Sequence, residues 1–243
     1  MIFLRSLLFN IFFYSYGFCL LTLCLPLLLG PPHWPRRVGY VLSSGMFWGL
    51  KVICNVDYEI RGKEHLPEAP YLIAAKHQSA WDTFVFSVLL KDPSFVLKRE
   101  LTWLPLFGWF ISRAGIVAID REGGAAELKR MVARAKFITG RKQPLVIFPE
   151  GTRTFPDEQR PFHPGVAALY SQLNLPVVPI ALNSGLFWPR RAFLKKPGTI
   201  VMEILPPVPP GRKRKAFMAE LEETIQNNSQ RLIAEARDKH PDS

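Results

Sequence analysis

Residues 76–82 read KHQSAWD and bring a histidine, a serine and an aspartate together, directly after the apolar run Tyr71-Leu72-Ile73-Ala74-Ala75. Two readings compete. Ser79 is a good helix N-cap, and Asp82, three residues on, resembles the acidic arm of a capping box, which leaves His77 incidental. Side chains in a first helical turn lean back toward the N-terminus, so the same Asp82 can also reach the imidazole of His77. There it fixes the tautomer, while the helix end disfavours the imidazolium and keeps a usable base at neutral pH. H-x4-D alone does not decide between a cap and a catalytic pair.

Two further strand ends carry groups suited to an anionic substrate. In VIFPEGTRTFPD (146–157) a strand stops at Pro149 and is followed by Glu150, Gly151, Thr152 and Arg153. The carboxyl edge of an open α/β sheet is where ligands bind. Gly151 lets backbone approach an anion, Thr152 adds a hydroxyl, and Arg153 offers a bidentate fork suited to phosphate. A polar β-turn with a solvated arginine accounts for the glycine and threonine equally well. GIVAIDRE (115–122) again ends a strand on a cation, Arg121, although Asp120-Arg121-Glu122 also fits a local ion-pair cluster. If the three strand ends share one rim, the groups converge, and convergence is what separates a site from three surface turns. Ser79 lacks the G-x-S-x-G surround of a nucleophile.

The elements that must hold these groups alternate in type. Short apolar or β-branched runs at 71–75, 94–98, 115–119, 144–149, 176–182 and 199–205 read as buried strands. Helical windows lie between them at 79–90, 123–139 and 164–174; in the second, Leu128, Met131, Val132 and Ala135 form one stripe and Gly140 is a plausible stop. The expected fold is α/β, a mixed or largely parallel sheet flanked by helices, over residues 57–211. The proline-rich LPPVPPGRKRK (205–215) leads into 212–243, a basic cluster and a C-terminal amphipathic helix.

Residues 1–56 form a different region, read as a membrane-anchoring two-helix segment. Ser6 to Gly30 holds no charged residue; as a helix it is roughly 37 Å long, against about 30 Å of hydrocarbon. A cleaved signal peptide fits less well, because the apolar core is too long, only Arg5 precedes it, and no small-x-small site follows. The second stretch (38–56) returns as a hairpin half or lies in the interface with Trp34, Tyr40 and Trp48 at headgroup level. Arg5, Arg36 and Arg37 flank the first helix, and the remainder is expected on the cytoplasmic face of the inner membrane. The net charge of +11 calls for an anionic partner surface. Anionic membrane lipids fit. Nucleic acid does not, since no helix-turn-helix or RNA-binding signature accompanies the charge. The three cysteines, Cys19, Cys24 and Cys54, show no metal-ligand spacing and suit a reducing compartment.

KHQSAWD, GIVAIDR, FPEGTR and VVPIAL, in this order, look like the four sequence blocks of the glycerophospholipid acyltransferase family. The similarity covers roughly residues 57–205 and resembles in particular the bacterial 1-acyl-sn-glycerol-3-phosphate (lysophosphatidic acid) acyltransferases. The resemblance implies His77 as base and Asp82 as its orienter. It implies that Arg121, Glu150, Gly151, Thr152 and Arg153 bind the glycerol phosphate acceptor, and that Val178, Pro179 and Ile180 contribute to the acyl-donor side. The implied reaction moves an acyl chain from acyl-CoA or acyl carrier protein to the sn-2 hydroxyl of lysophosphatidic acid, giving phosphatidic acid. A thioester is already activated, so neither a metal nor a cofactor is expected. Lys76 stands where the family often has Asn, Thr154 where Ser is common, and His163 where a basic residue often precedes a glycine-led helix. Another lysolipid, such as lyso-ornithine lipid, is the alternative acceptor; a non-catalytic basic membrane-binding protein is the remote alternative.

Overall fold

The computed structural model describes residues 1–120 and 123–239. Within them, helices α1 (Ile2–Leu23) and α2 (His33–Cys54) precede strand β1 (Val56–Arg61). There follow β2 (Leu72–Ala75), α3 (Trp81–Leu89), β3 (Ser94–Lys98), α4 (Phe107–Ala114), β4 (Val117–Ile119) and α5 (Gly124–Thr139). β5 (Leu145–Ile147), α6 (Pro164–Leu173), β6 (Val177–Leu182), β7 (Gly198–Ile204) and α7 (Arg214–Lys239) complete the described fold.

The strands form one 7-stranded mixed sheet in the order β1-β7-β6-β2-β5-β3-β4. Pairing is parallel throughout except between β6 and β7. Every residue of β2 and β6 is buried, as a sheet covered on both faces requires. Alternation divides them between two cores: Ile73 and Ala75 pack with Trp81, Phe86 and the inner face of α2. Leu72 and Ala74 pack with Met131 of α5, Val166 of α6 and Phe217 of α7. Each fully buried side chain of leucine size adds about 1.5–3 kcal/mol, so Trp81 and Phe86, both wholly buried, fix α3 on the sheet. The antiparallel β6–β7 pair reverses the sheet direction, so only β6, β2, β5, β3 and β4 point their carboxyl ends at the same rim.

The divisions at 56/57 and 211/212 separate compositions; packing runs across them. α7 buries Phe217, Leu221, Ile225 and Ile233 against the sheet, so its apolar face is covered by protein. α2 contributes Met46, Phe47 and Leu50 to the same core as β2 and α3. α1 is long and apolar enough to cross a membrane, and among the described residues no other helix is. It is nevertheless held along the domain. Near its start, Lys195 donates from Nζ to Asn10 Oδ1 at 2.7 Å, and the Lys195 amide donates to Ser6 Oγ at 2.9 Å. Lys195 is 3% exposed and its ammonium lies 5.6 Å from the Phe9 ring and 5.2 Å from Trp188. Burial lowers its pKa to about 8. Near the end of α1, Leu21 packs with Val38 of α2 and Phe110 of α4.

Candidate active site

β2 delivers His77 and β5 delivers the 148–153 segment to adjacent positions on the shared rim, because Ala74 pairs with Ile147 in parallel register. α3 begins at Trp81. Asp82, wholly buried in its first turn, accepts from the backbone N–H of Gln78 at 2.6 Å and of Ser79 at 2.8 Å through Oδ2. The same oxygen lies 3.0 Å from His77 Nδ1. Ser79 is not the N-cap expected of it: Ala80 holds that position with no side-chain cap bond, and Ser79 Oγ accepts from the Trp81 amide at 3.2 Å. The Asp82 carboxylate closes the turn that leads into α3 and also orients the imidazole of His77. Ser184, just beyond β6, donates to Asp82 Oδ1 at 2.5 Å. Phe148 stacks on the imidazole with ring centroids 4.0 Å apart and an interplanar angle of 20°, which fixes the ring plane.

Glu150 is placed differently from the expectation that it binds substrate. It is 1% exposed, and both its oxygens are occupied by the protein. Oε1 takes Lys76 Nζ at 2.5 Å and Thr154 Oγ1 at 3.3 Å, and Oε2 takes the backbone N–H of His77 at 3.0 Å. Burial raises its pKa, and the Lys76 charge works against that. An anionic group so enclosed cannot offer itself to a phosphate; its work is to pin the backbone of His77 from below. The Thr154 amide adds a second hold, donating to the His77 carbonyl at 2.8 Å. Lys76 and Thr154, notable in sequence only as departures from a family pattern, thus belong to the support of His77.

Arg153 lines the cavity that contains His77, together with Gly151 and His163. Burial lowers its pKa; the neighbouring Asp82 charge raises it and the Arg190 charge lowers it. Its carbonyl is fixed by Arg190 Nη1 at 2.8 Å. Gly151 sits at φ +67, and a Cβ there would stand 2.7 Å from the His163 ring, so conformation and space both require glycine. Thr152 is half-buried in the same turn. Arg121 lies outside the described residues; the strand that leads to it, β4, ends on the same rim. Val178, Pro179 and Ile180, expected on the acyl-donor side, form the interior of β6, and none of the three lines the cavity. Their apolar character reflects a central strand buried on both faces. Ser184 had no sequence signal, since Leu182-Asn183-Ser184 carries no motif spacing.

The cavity at His77 has a volume of about 540 Å³ and runs between α5, α6 and the segment before α4, with Leu97, Ile119, Leu128 and Met131 in its walls. A second cavity, about 260 Å³, lies between α2, α3 and α4. Thr83, Phe84, Leu97 and Phe107 line both. An imidazole held by a buried carboxylate beside a half-buried guanidinium, over an apolar chamber, suits proton removal from an amphiphile that bears an anion.

Known proteins resemble this chain in sequence and in fold. The family model described as Acyltransferase matches residues 57–183, just over half of the chain. A 1-acyl-sn-glycerol-3-phosphate acyltransferase of Pseudomonas aeruginosa is 40% identical over 159 residues, 65% of this chain and 62% of that protein. That of Saccharomyces cerevisiae is 26% identical over 217 residues, 87% of this chain and 70% of that one. The match thus spans less than two thirds of the Pseudomonas protein's length. The crystal structure of the 1-acyl-sn-glycerophosphate acyltransferase PlsC from Thermotoga maritima superposes with a TM-score of 0.78, covering 96% of this chain and 98% of that one. At 20% identity that likeness speaks to the fold. The family match falls on the segment that carries His77, Asp82 and Arg153, and this chain belongs to the acyltransferase family.

Proposed function

We propose that the protein transfers an acyl chain from acyl-CoA or acyl carrier protein to the sn-2 hydroxyl of 1-acyl-sn-glycerol 3-phosphate, giving phosphatidic acid. The observation that carries this reading is His77, oriented by Asp82, in one cavity with Arg153. Relatives that bear the name 1-acyl-sn-glycerol-3-phosphate acyltransferase support it.

With the Nδ1–H of His77 donated to Asp82, the basic lone pair is on Nε2. That nitrogen takes the proton of the sn-2 hydroxyl as its oxygen attacks the thioester carbonyl carbon. The C–S bond then breaks, and the thiolate leaves with the proton returned by His77. General-base assistance of this kind contributes roughly 10²–10⁴ in rate. Arg153, joined by Arg121, holds the phosphate and so positions the hydroxyl. The acyl chains of the acceptor and donor lie along the apolar walls of the two cavities. The reaction takes place at the inner membrane, with the α/β domain on the cytoplasmic side. The net charge of +11 and the cations Arg36 and Arg37 beside the first helix support contact with anionic lipid.

The test is to incubate the purified chain with lysophosphatidic acid and lyso-ornithine lipid, each with acyl-CoA and with acyl carrier protein, and to identify products by mass spectrometry. Phosphatidic acid is expected. Acylation of lyso-ornithine lipid alone would replace the acceptor, and no product with either donor would remove the enzymatic reading.

A further inference from the structure

We propose that the α/β domain supplies two apolar pads of its own to the membrane surface, one at each end of the α1–α2 hairpin, and that both rest on an anionic phospholipid bilayer. The first pad is the segment before and within α4. Trp103 is 67% exposed, Trp109 51%, and Leu104 lies exposed between them. This is an odd composition for a surface facing water; tryptophan beside leucine is the signature of the headgroup boundary. The backbone holds it outward. Leu106 takes φ +61 and ψ −72, and the Phe107 amide donates to the Pro105 carbonyl at 2.7 Å. Together these make a γ-turn of the rare, strained, positive-φ kind. On its inner side Leu106 and Phe107 pack with Leu25 and Leu28 of the hairpin turn. Arg113 locks the contact, donating to the carbonyls of Leu28 at 3.1 Å and Gly30 at 3.0 Å.

The second pad is Phe193 and Leu194, 43% and 42% exposed, in the segment after β6. It joins the opposite end of the hairpin: Phe193 and the exposed Phe3 of α1 have ring centroids 5.3 Å apart, and Asn10 Nδ2 lies 3.4 Å from the Phe193 carbonyl. The first pad is continuous with the hairpin turn that follows α1 and the second with the exposed apolar side of α1 itself; the inference rests on the membrane seating of α1 proposed above, and this continuity identifies the occupant. Charge agrees at the second pad, where Arg191 adjoins Phe193 and Leu194 and a cation meets acidic headgroups; beside the first pad, Lys98 pairs with Glu100 and Arg99 with Asp120, so that pad rests on its apolar side chains. Leu101 and Phe107, beside the first pad, also line the His77 cavity, so seating the pad sets that cavity at the level of the lipid.

The test uses the full chain with Cys19→Ser and Cys24→Ser, leaving the buried Cys54 unlabelled. A small fluorophore is placed at Leu104→Cys, Leu194→Cys or Phe137→Cys, the last an exposed position on α5, and at native Cys19 in a Cys24→Ser chain as the α1 reference. In phosphatidylglycerol–phosphatidylethanolamine vesicles containing lipids with doxyl-labelled acyl chains, quenching at 104 and 194 should fall within about twofold of that at Cys19. It should exceed that at 137 several-fold. Quenching at either pad no stronger than at 137 overturns the proposal. So does shielding at 104 or 194 that appears in detergent and rises with protein concentration, which would put a second copy of the chain there. Trp103→Cys and Phe193→Cys repeat the measurement if a leucine variant does not fold. No step depends on enzymatic turnover.

Discussion

Asp82 Oδ2 lies 3.0 Å from His77 Nδ1 and within 2.8 Å of two backbone N–H groups, those of Gln78 and Ser79. One buried oxygen therefore sets the imidazole and closes the turn on which the imidazole stands. The two effects separate by substitution. Asp82→Asn keeps an oxygen for the turn and loses the charge that stabilises a protonated His77. It should cost about 1–2 kcal/mol of stability, the scale of a weakened buried hydrogen bond. Acyl-transfer kcat should fall at least about a hundredfold. His77→Ala should abolish turnover with little change in melting temperature. Thermal unfolding and steady-state rates measured on the same preparations check both; an Asp82→Asn protein with full activity would reduce Asp82 to an acceptor that closes the turn.

Arg153→Ala should cut kcat/KM toward lysophosphatidic acid by roughly a hundredfold, about 2.7 kcal/mol, the scale of a lost charge-assisted contact. Activity toward a lysolipid without phosphate should change far less. Lysine should restore only part, since a point charge replaces a fork. Equal losses on both acceptors would assign Arg153 to the fold or to the donor.

The Lys76–Glu150 pair sits beneath His77, both side chains almost fully buried. Removing one member leaves the other charge without a partner, so Glu150→Ala should destabilise the fold by about 3–5 kcal/mol. Lys76→Met combined with Glu150→Gln removes both charges and keeps an acceptor for the His77 amide, so it should be the more stable protein. Urea unfolding of the set decides. A Glu150→Gln chain of unchanged stability that loses acceptor affinity would return Glu150 to the substrate.

Lys195 gives a pH signature. Burial lowers its pKa from 10.5 to about 8 in the folded state. Between those two values the unfolded chain binds the proton that the folded chain has released, so stability rises with pH across that window and is flat below it. The rise should amount to on the order of 1–3 kcal/mol. Lys195→Met should lack it. Unfolding of both chains from pH 7.5 to 10 measures the difference, and parallel curves would contradict the assignment.

Sequence legibility followed burial. β2, β3, β5 and β6 are short apolar runs because both sheet faces are covered, and such runs are plain in sequence. β1 was not among the expected strands: as an edge strand paired only with β7 it carries Asp57, Glu59 and Arg61 toward solvent. α4 was also missed, since Pro105 stands just before it, Gly108 falls in its first turn, and it spans only Phe107–Ala114; its place rests on Leu106 and Phe107 meeting the hairpin. At the site, His77, Asp82 and Arg153 could be named because their types and spacing are chemical. Glu150 has the same chemical type but faces inward, and only the packing of Lys76 beneath it reveals that. Ser184 reaches Asp82 across a separation of 102 residues, and no local pattern encodes such a meeting.

The docking of α1 and α2 has a consequence for the order in which the protein is made. Met46 and Phe47 pack in the core that holds Trp81, Trp188 and Ile200, and Lys195 bonds to Asn10 and Ser6. Translation produces the hairpin first and these partners much later, the last of them after most of the chain has left the ribosome. At the ordinary pace of synthesis, about 5–20 residues per second, the inner face of the hairpin waits on the order of ten seconds for its protein partners. A lipid bilayer can receive that face in the interval. On the membrane seating proposed above, the bilayer serves as a holding phase for that side of the core, and folding then moves one face of the hairpin from lipid onto the newly made sheet.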